Sequence, residues 1–259
     1  MTVAENVVLE LKGITKRFGG ITAANDISFS VDEGTIHGVI GPNGAGKTTL
    51  FNMMTGVYDS TEGEILFRGQ KINGRKTHEI ANMGIARTFQ NIRLFGDLTV
   101  YENVLTACQK NISYGLVSGM LRLPDCRRQE KEAGALCEKI LGEAGLMDVM
   151  DQEARNLPYG MQRRLEVARA LITNPTLLLL DEPAAGMNED ESKRLSKYIR
   201  KVRKNYGITI VIIDHHMDVI MSICDTMTVL NFGTKLAEGA PAEIRNNQQV
   251  IEAYLGVDE

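Results

Sequence analysis

The chain has 259 residues, of which 43% are apolar and 24% charged, a composition typical of a soluble globular protein with a sizeable core. Its formal net charge of −4 provides no basic excess for holding nucleic acid. No uninterrupted apolar run approaches the ~20 residues that a membrane-spanning helix requires. The composition therefore argues against a nucleic-acid-binding protein and against an integral membrane protein.

The N-terminal part of the chain is predicted to begin with strands. The segment from Val7 to Val31 suggests short strands interrupted by three glycines, namely Gly13, Gly19 and Gly20. The apolar run from Thr35 to Ile40 predicts a buried strand that leads straight into a glycine-rich turn. The residues from Lys47 to Met54 then predict a helix, which Gly56 ends. A further strand is expected from Glu64 to Phe67.

The middle of the chain, from about Gly84 to Asn156, is predicted to be mostly helical. Asp125 is expected to cap one of these helices. The helix would place five apolar residues on one face, namely Ala133, Leu136, Ile140, Leu141 and Ala144.

Strands return in the last third, with predictions at Leu177–Leu180, Ile208–Ile213 and Thr226–Asn231. The continuous runs LLLL and ITIVII are typical of strands that are covered on both faces, which indicates a parallel sheet. The sequence therefore predicts an α/β core with a mainly parallel sheet and an inserted helical subdomain.

A phosphate-binding loop is predicted where the first buried strand meets the first helix. Residues 41–48 read GPNGAGKT and fit the pattern G-x-x-x-x-G-K-[ST]. The glycines let backbone N–H groups face a β-phosphate, and the helix that starts near Lys47 adds its positive end. The Lys47 side chain would contact the β- and γ-phosphates, and the Thr48 hydroxyl would reach Mg²⁺. The predicted nucleotide-binding residues of this segment are Gly41, Pro42, Asn43, Gly44, Ala45, Gly46, Lys47, Thr48 and Thr49.

Two acids end the strand LLLLDE, which places Asp181 and Glu182 at the carboxyl edge of the sheet, where open α/β folds bind ligands. Asp181 can join a magnesium shell, and Glu182 can polarise the attacking water. In isolation, two solvated acids at a strand end would be an equally good interpretation. Their position after a phosphate-binding loop favours the catalytic one.

Residues 157–171, LPYGMQRRLEVARAL, form a glycine turn that opens an amphipathic helix, and an ordinary surface helix is the simpler interpretation. The segment resembles the LSGGQ signature of ATP-binding cassette proteins. The resemblance implies contact with nucleotide held by an opposite subunit and assigns it to Leu157, Pro158, Tyr159, Gly160 and Met161. The match is incomplete, because Pro158 replaces the signature serine and Met161 the signature glutamine.

The same resemblance gives roles to residues that would otherwise pass as core or surface positions. Phe18 resembles the aromatic residue that stacks on adenine. Gln90 resembles the glutamine that joins the magnesium shell and links it to the membrane partner, and His215 resembles the switch histidine that contacts the γ-phosphate. The segment Ala184–Asn188 resembles the D-loop, with Asn188 in place of an aspartate. His216 stands where an acid is common and is interpreted as a bystander that titrates near neutral pH.

Four longer segments point to one subgroup of the ATP-binding cassette proteins. PNGAGKTTLFNMMTG, GIARTFQNIRLFGDLTVYENV, DEPAAGMN and NNQQVIEAYLG resemble the LivG-type ATPases of bacterial branched-chain amino-acid importers. This family implies a P-loop NTPase core with an N-terminal antiparallel β-subdomain and an inserted helical subdomain. The whole chain, 1–259, would be one such ATPase domain. Residues 1–90 and 157–259 would form the core and the β-subdomain, and approximately 91–156 with the start of the signature helix the helical subdomain.

The resemblance also implies cofactors and partners. It implies ATP and Mg²⁺, a heterodimer with a LivF-like second ATPase or a homodimer in isolation, two transmembrane permeases, indirectly a periplasmic or extracellular binding protein, and no nucleic acid. The chain would lie in the cytoplasm, on the inner face of the cell membrane. The transported solutes would be Leu, Ile and Val.

The residues alone leave other functions open. The solute in particular is undetermined, because the ATPase of such an importer never touches it. Related importers for urea, amides or other amino acids, a non-transport cassette ATPase, and a nucleotide-binding module without turnover are the alternatives. The first residues, MTVAENVVLE, carry acids and lack the apolar core of an export signal. The 4 cysteines include no C-x-x-C pair and are expected to be reduced structural thiols.

Overall fold

The computed structural model describes residues 6–108 and 124–255. Residues 1–5, 109–123 and 256–259, which include parts of the N-terminal, insertion and C-terminal segments interpreted above, lie outside the described residues. The chain divides into two compact units, one comprising Met1–Gln90 with Thr176–Glu259 and the other Asn91–Pro175. The second unit is thus inserted into the sequence of the first.

The first unit contains two sheets. In chain order its strands are β1 (Val7–Phe18), β2 (Ile21–Asp32), β3 (Ile36–Ile40), β4 (Glu62–Phe67), β5 (Gln70–Lys71), β6 (Ile85–Arg87), β7 (Leu177–Asp181), β8 (Thr209–Ile213), β9 (Thr226–Asn231) and β10 (Thr234–Gly239). One sheet is antiparallel with the order β2-β1-β4-β5. The other has the order β10-β9-β3-β8-β7-β6 and is parallel except for β10.

The parallel sheet confirms the prediction from the long apolar runs. Every residue of β3, β7 and β8 is buried, so both faces of these central strands are covered. The antiparallel sheet likewise agrees with the predicted fold class. The carboxyl ends of β3, β7 and β8 lie side by side in this sheet, and the predicted phosphate loop and acids follow them directly.

Two local predictions were wrong in this unit. Gly13 does not interrupt a strand: it lies inside β1 with φ 58°, at a register shift between Leu11 and Ile14, where a bulge accommodates a left-handed glycine. The residues after Gly84 are not helical, because β6 occupies positions 85–87 and pairs with β7. A strand of 3 residues is too short to show periodicity, and only its pairing defines it.

The helices of the first unit are α1 (Lys47–Met54), α2 (Thr77–Asn82), α6 (Glu189–Tyr206), α7 (Met217–Ile223), α8 (Pro241–Arg245) and α9 (Gln248–Leu255). Helix α1 has the predicted bounds. Asn188 caps α6: its side chain accepts from the Glu191 N–H at 2.9 Å, and the Glu191 carboxylate accepts from the Asn188 N–H at 3.1 Å. Asparagine and aspartate cap helices about equally well, which explains why Asn188 is compatible with the fold.

The second unit is helical, with α3 (Val100–Cys108), α4 (Pro124–Ala144), α5 (Tyr159–Leu171) and two short 3₁₀ turns, Met147–Val149 and Ala154–Asn156. It includes all of α5, which contacts both α3 and α4. Asp125 is not the cap of α4, because the helix begins at Pro124 and Asp125 lies in its first turn. The predicted apolar face is buried at Ala133, Ile140, Leu141 and Ala144, while Leu136 is half-buried.

Two further expectations concern the cysteines and the absence of a membrane-spanning helix. Cys108, Cys126, Cys137 and Cys224 are all buried free thiols, as predicted. Burial raises the pKa of the Cys137 thiol to about 12, which keeps it protonated and unreactive at neutral pH. Among the residues that the structure describes, no helix combines the length and apolar character needed to cross a membrane.

Candidate active site

The glycines of the phosphate-binding loop are required by close backbone contacts. Gly41 has φ 153°, and a Cβ atom there would lie 2.1 Å from the carbonyl oxygen of Leu230. Gly46 has φ 97°, and a Cβ atom there would lie 2.4 Å from the carbonyl oxygen of Ala23. Each distance is too short for any side chain, so the loop keeps its course only with glycine at both positions.

Lys47 starts α1 and folds over its own loop. Its Nζ donates to the carbonyl oxygens of Gly41 at 2.6 Å and Pro42 at 2.8 Å. Burial lowers the pKa of the Lys47 ammonium, and the nearby Glu182 carboxylate partly raises it. Gly46 caps α1 without a side-chain hydrogen bond, so N–H groups of the first turn remain available to an anion. The loop and the lysine together offer a site for phosphate.

The two predicted acids point to different partners although they are adjacent. The Asp181 carboxylate is buried and pairs with the Arg87 guanidinium at 2.6 Å. Glu182 has φ 46°, a left-handed conformation that is uncommon for a residue with a side chain, and its N–H donates to Ile213 at 2.7 Å. Strained backbone of this kind concentrates at functional sites, where the surrounding structure holds it in place.

Glu182 is the point where the predicted catalytic residues meet. The Gln90 amide donates from Nε2 to Oε2 of Glu182 at 2.9 Å. The Nδ1 atom of His215 lies 3.7 Å from the same oxygen, and the His215 side chain is 51% exposed. The structure therefore places the Gln90 amide and the His215 ring next to one carboxylate oxygen of Glu182, whose charge also acts on Lys47 of the phosphate loop.

Asp214 supports this arrangement and was not singled out from the sequence. It is fully buried; Oδ1 accepts from the His216 N–H at 2.9 Å and contacts His216 Nδ1 at 2.8 Å, and Oδ2 accepts from the Ala184 N–H at 3.0 Å. The His216 ring lies 4.2 Å from the His215 ring. His216 is thus held by Asp214 and lies against the His215 ring, and its role as a bystander stays a prediction. Asp214 follows an apolar strand just as Asp181 does, and that pattern could have identified it.

Phe18 lies at the end of β1 and is 41% exposed, so it is not a core residue. The edge of its ring meets the Tyr58 ring at 5.2 Å between centroids, and the Lys16 ammonium lies 4.9 Å from the Phe18 centroid. The sequence did not point to Tyr58, which follows the turn after α1. These two aromatic rings form a partly exposed surface on which a flat ring could stack.

The signature-like residues lie in the second unit, at the start of α5. Pro158 is the N-cap and provides no side-chain hydrogen bond. The Tyr159 hydroxyl accepts from Nη2 of Arg163 at 2.8 Å, and Nη1 of the buried Arg163 donates to Glu166 at 3.1 Å. Leu157 is buried, Gly160 and Met161 are half-buried, and Pro158 and Tyr159 are exposed. Contacts among Tyr159, Arg163 and Glu166 thus hold the exposed start of α5 in place.

The residues predicted to hold Mg²⁺ fit such an ion by their chemistry. Asp181, Thr48 and Gln90 provide carboxylate, hydroxyl and amide oxygens, the hard donors that Mg²⁺ prefers. Oδ2 of Asp181 is occupied by Arg87, whereas Oδ1 accepts no hydrogen bond from the residues that the structure describes. One carboxylate oxygen is therefore available to an ion or to its water.

The fold and the family of the chain follow from its similarity to known proteins. The profile of the family described as "ABC transporter" matches residues 24–185. The chain belongs to this family. A second profile, described as "Branched-chain amino acid ATP-binding cassette transporter", matches residues 234–259.

The similarity of this ABC transporter ATPase to its relatives extends over almost the whole chain. It is 45% identical to the high-affinity branched-chain amino acid transport ATP-binding protein BraF of Pseudomonas aeruginosa, with 96% of this chain and 98% of the relative covered. It is 46% identical to the LivG protein of Escherichia coli strain K12, which has the same description, with the same coverage. A solved ADP-bound structure of MJ1267, an ATP-binding cassette of an ABC transporter, matches with TM-score 0.83, 30% identity and coverage of 96% and 99%.

Membership in this family has direct consequences for function. The chain binds a nucleotide and is the ATPase subunit of a transporter.

Proposed function

We propose that this chain hydrolyses Mg·ATP to power the import of branched-chain amino acids. The proposed hydrolysis rests on one observation. The Gln90 amide and the His215 ring both lie next to one carboxylate oxygen of Glu182, whose charge also acts on Lys47. The profile over residues 234–259 and the relatives, which transport branched-chain amino acids, support the solute class.

Lys47 and the start of α1 bind the phosphates in this proposal. The Lys47 ammonium now rests on two carbonyl oxygens of its own loop, and phosphate oxygens are stronger acceptors for it. Asp181, Thr48 and Gln90 would hold Mg²⁺, which neutralises phosphate charge when bound. Phe18, with Tyr58 beside it, supplies a surface for the adenine ring.

Glu182 is the residue that activates water. Asp181 is held by Arg87, so Glu182 is the acid free to turn its carboxylate towards the attacking water. It accepts the proton of that water as oxygen attacks the γ-phosphate in line. His215, half-exposed and next to Glu182, can donate to the γ-phosphate oxygens and stabilise the developing charge.

The signature segment serves a second ATPase subunit. Its exposed residues at the start of α5 would contact nucleotide held by that partner, which makes ATP the link between the two subunits. The partner would be a similar ATPase, and two permeases with an external binding protein would complete a complex in which this chain lies on the inner face of the membrane. The relatives are named as high-affinity branched-chain amino acid transport ATP-binding proteins.

The test is reconstitution of this chain with a second ATPase, two permeases and a binding protein of a branched-chain amino-acid importer. We expect uptake of labelled leucine, isoleucine and valine that requires ATP and is lost with Glu182→Gln. Urea and amides, offered in the same assay with their accumulation measured, should not be transported. Uptake of urea or an amide in place of leucine would refute the solute class, and uptake that survives Glu182→Gln would refute the role of this subunit.

A further inference from the structure

Arg87, the last residue of β6, forms a buried ion pair with Asp181, and the chemistry above gives the arginine no role towards the magnesium ion. Its Nη2 donates to Oδ2 of Asp181 at 2.6 Å, and the two side chains are only 8% and 4% exposed. Removing two charges from water is costly, and only good geometry and additional hydrogen bonds offset that cost. A pair at this position therefore calls for a role besides general stability.

The other terminal nitrogen of the guanidinium bonds to the helix that follows the phosphate loop, whereas the buried Nε has no hydrogen-bond partner among the described residues. Nη1 of Arg87 donates to Oδ1 of Asn52 at 2.8 Å and to the Thr55 hydroxyl at 3.2 Å. The rings of Phe51 and Phe89 lie 5.6 and 5.2 Å from its Cζ atom. Arg87 therefore links α1, β6 and β7 through its two terminal nitrogens.

The consequence falls on Asp181. A fixed donor at Oδ2 holds the carboxylate in one rotation, with Oδ1 free of hydrogen bonds from the described residues. We propose that Arg87 is a positioning residue for magnesium: it holds Asp181 so that Oδ1 faces the ion or its water. This inference rests on the proposed Mg·ATP chemistry of the site.

Two effects of Arg87 on magnesium oppose each other. Its positive charge weakens the attraction of Asp181 for a cation, whereas its hydrogen bond orients the carboxylate. Outer-shell partners of metal ligands typically contribute about 10–100-fold to metal affinity. We expect the orienting effect to be the larger one, because removal of such partners lowers metal affinity on balance.

The experiment uses the full chain and a fluorescent, non-hydrolysable ATP analogue, titrated with Mg²⁺ and, separately, with EDTA present. In Arg87→Met we expect binding in EDTA to stay within about twofold of the wild type, since the phosphate loop is unchanged. The Mg²⁺ concentration at half-effect should rise about 10–100-fold. Arg203→Met is the matched control, because Arg203 pairs with Asp225 at 3.3 Å and bonds Gly34 at 2.7 Å, at the opposite ends of the strands.

Two more variants keep the result interpretable. Arg87→Lys retains the charge but not the planar fork, so it should raise the Mg²⁺ midpoint in the same direction, and it decides the matter if Arg87→Met does not fold. Asp181→Asn should abolish the magnesium effect, and adding Arg87→Met to it should change nothing further. A midpoint that is unchanged or lowered in the Arg87 variants overturns the inference. A wild type that binds the analogue equally with and without Mg²⁺ refutes the proposed function instead.

Discussion

Pro158 is the position where a single substitution should change the assembly of the ATPase most clearly. It is the N-cap of α5, with φ −54° and ψ 147°, and it offers no side-chain hydrogen bond. Serine is among the best N-cap residues, so Pro158→Ser adds a bond from a free N–H of the first turn, worth about 0.5–2 kcal/mol. Loss of the proline's rigidity costs about 0.4–1 kcal/mol through the unfolded chain. The stability of the isolated subunit should therefore change little.

The same serine should strengthen binding to the partner's nucleotide. A hydroxyl that accepts from the helix can still donate its own proton, here to a γ-phosphate oxygen of the ATP held by the opposite subunit. A hydrogen bond to a charged group contributes about 1.5–3 kcal/mol, which corresponds to roughly 10–150-fold in an equilibrium constant. In the family-typical pattern a serine supplies this donor, whereas this chain has none at position 158.

The assay is ATP-driven dimerisation by sedimentation, in a Glu182→Gln background that holds ATP without turnover. We expect Pro158→Ser to tighten the dimer by about 10-fold or more, since each site gains a charge-assisted hydrogen bond. Pro158→Ala is the control, which removes the ring but adds no hydroxyl and should dimerise like the parent. If the serine variant dimerises equally or less tightly, proline at this position is neutral, and the idea that this chain's signature closes weakly is refuted.

Three further predictions concern other residues of the chain. Glu182→Gln should bind ATP normally and hydrolyse it about 100-fold or more slowly, because the base for the water is lost; normal turnover in a phosphate-release assay would exclude Glu182. Phe95 is 51% exposed, and Phe95→Asp should lower transport in the reconstituted system more than the ATPase rate of the isolated subunit, whereas equal losses would indicate misfolding. Gly46→Ala should destabilise by about 2 kcal/mol or more in urea unfolding, because its Cβ would meet Ala23, and more than Gly44→Ala, which shares positive φ but meets nothing within 4 Å. Equal losses in the two glycine variants would mean that the backbone angle, and not the contact, requires glycine.

The sequence alone was enough wherever the information is local. Helix α1 and strand β9 have the predicted bounds. Each is marked by a pattern of neighbouring residues: α1 follows a glycine-rich turn, and β9 is an apolar run between polar residues. The parallel sheet followed from runs of apolar residues, since burial on both faces leaves no polar side in a strand. The succession of motifs along the chain likewise identified the family that the comparisons confirmed.

Only the tertiary structure decided how the site is held together. The Arg87–Asp181 pair and the Gln90–Glu182 hydrogen bond join residues 94 and 92 positions apart, and no local pattern contains them. Strand β6 exists because β7 offers it a partner, although its 3 residues carry no periodicity of their own. The left-handed backbone of Glu182 has the same origin: its N–H reaches Ile213 on the neighbouring strand, and this long-range contact sustains a conformation that the residue alone would avoid.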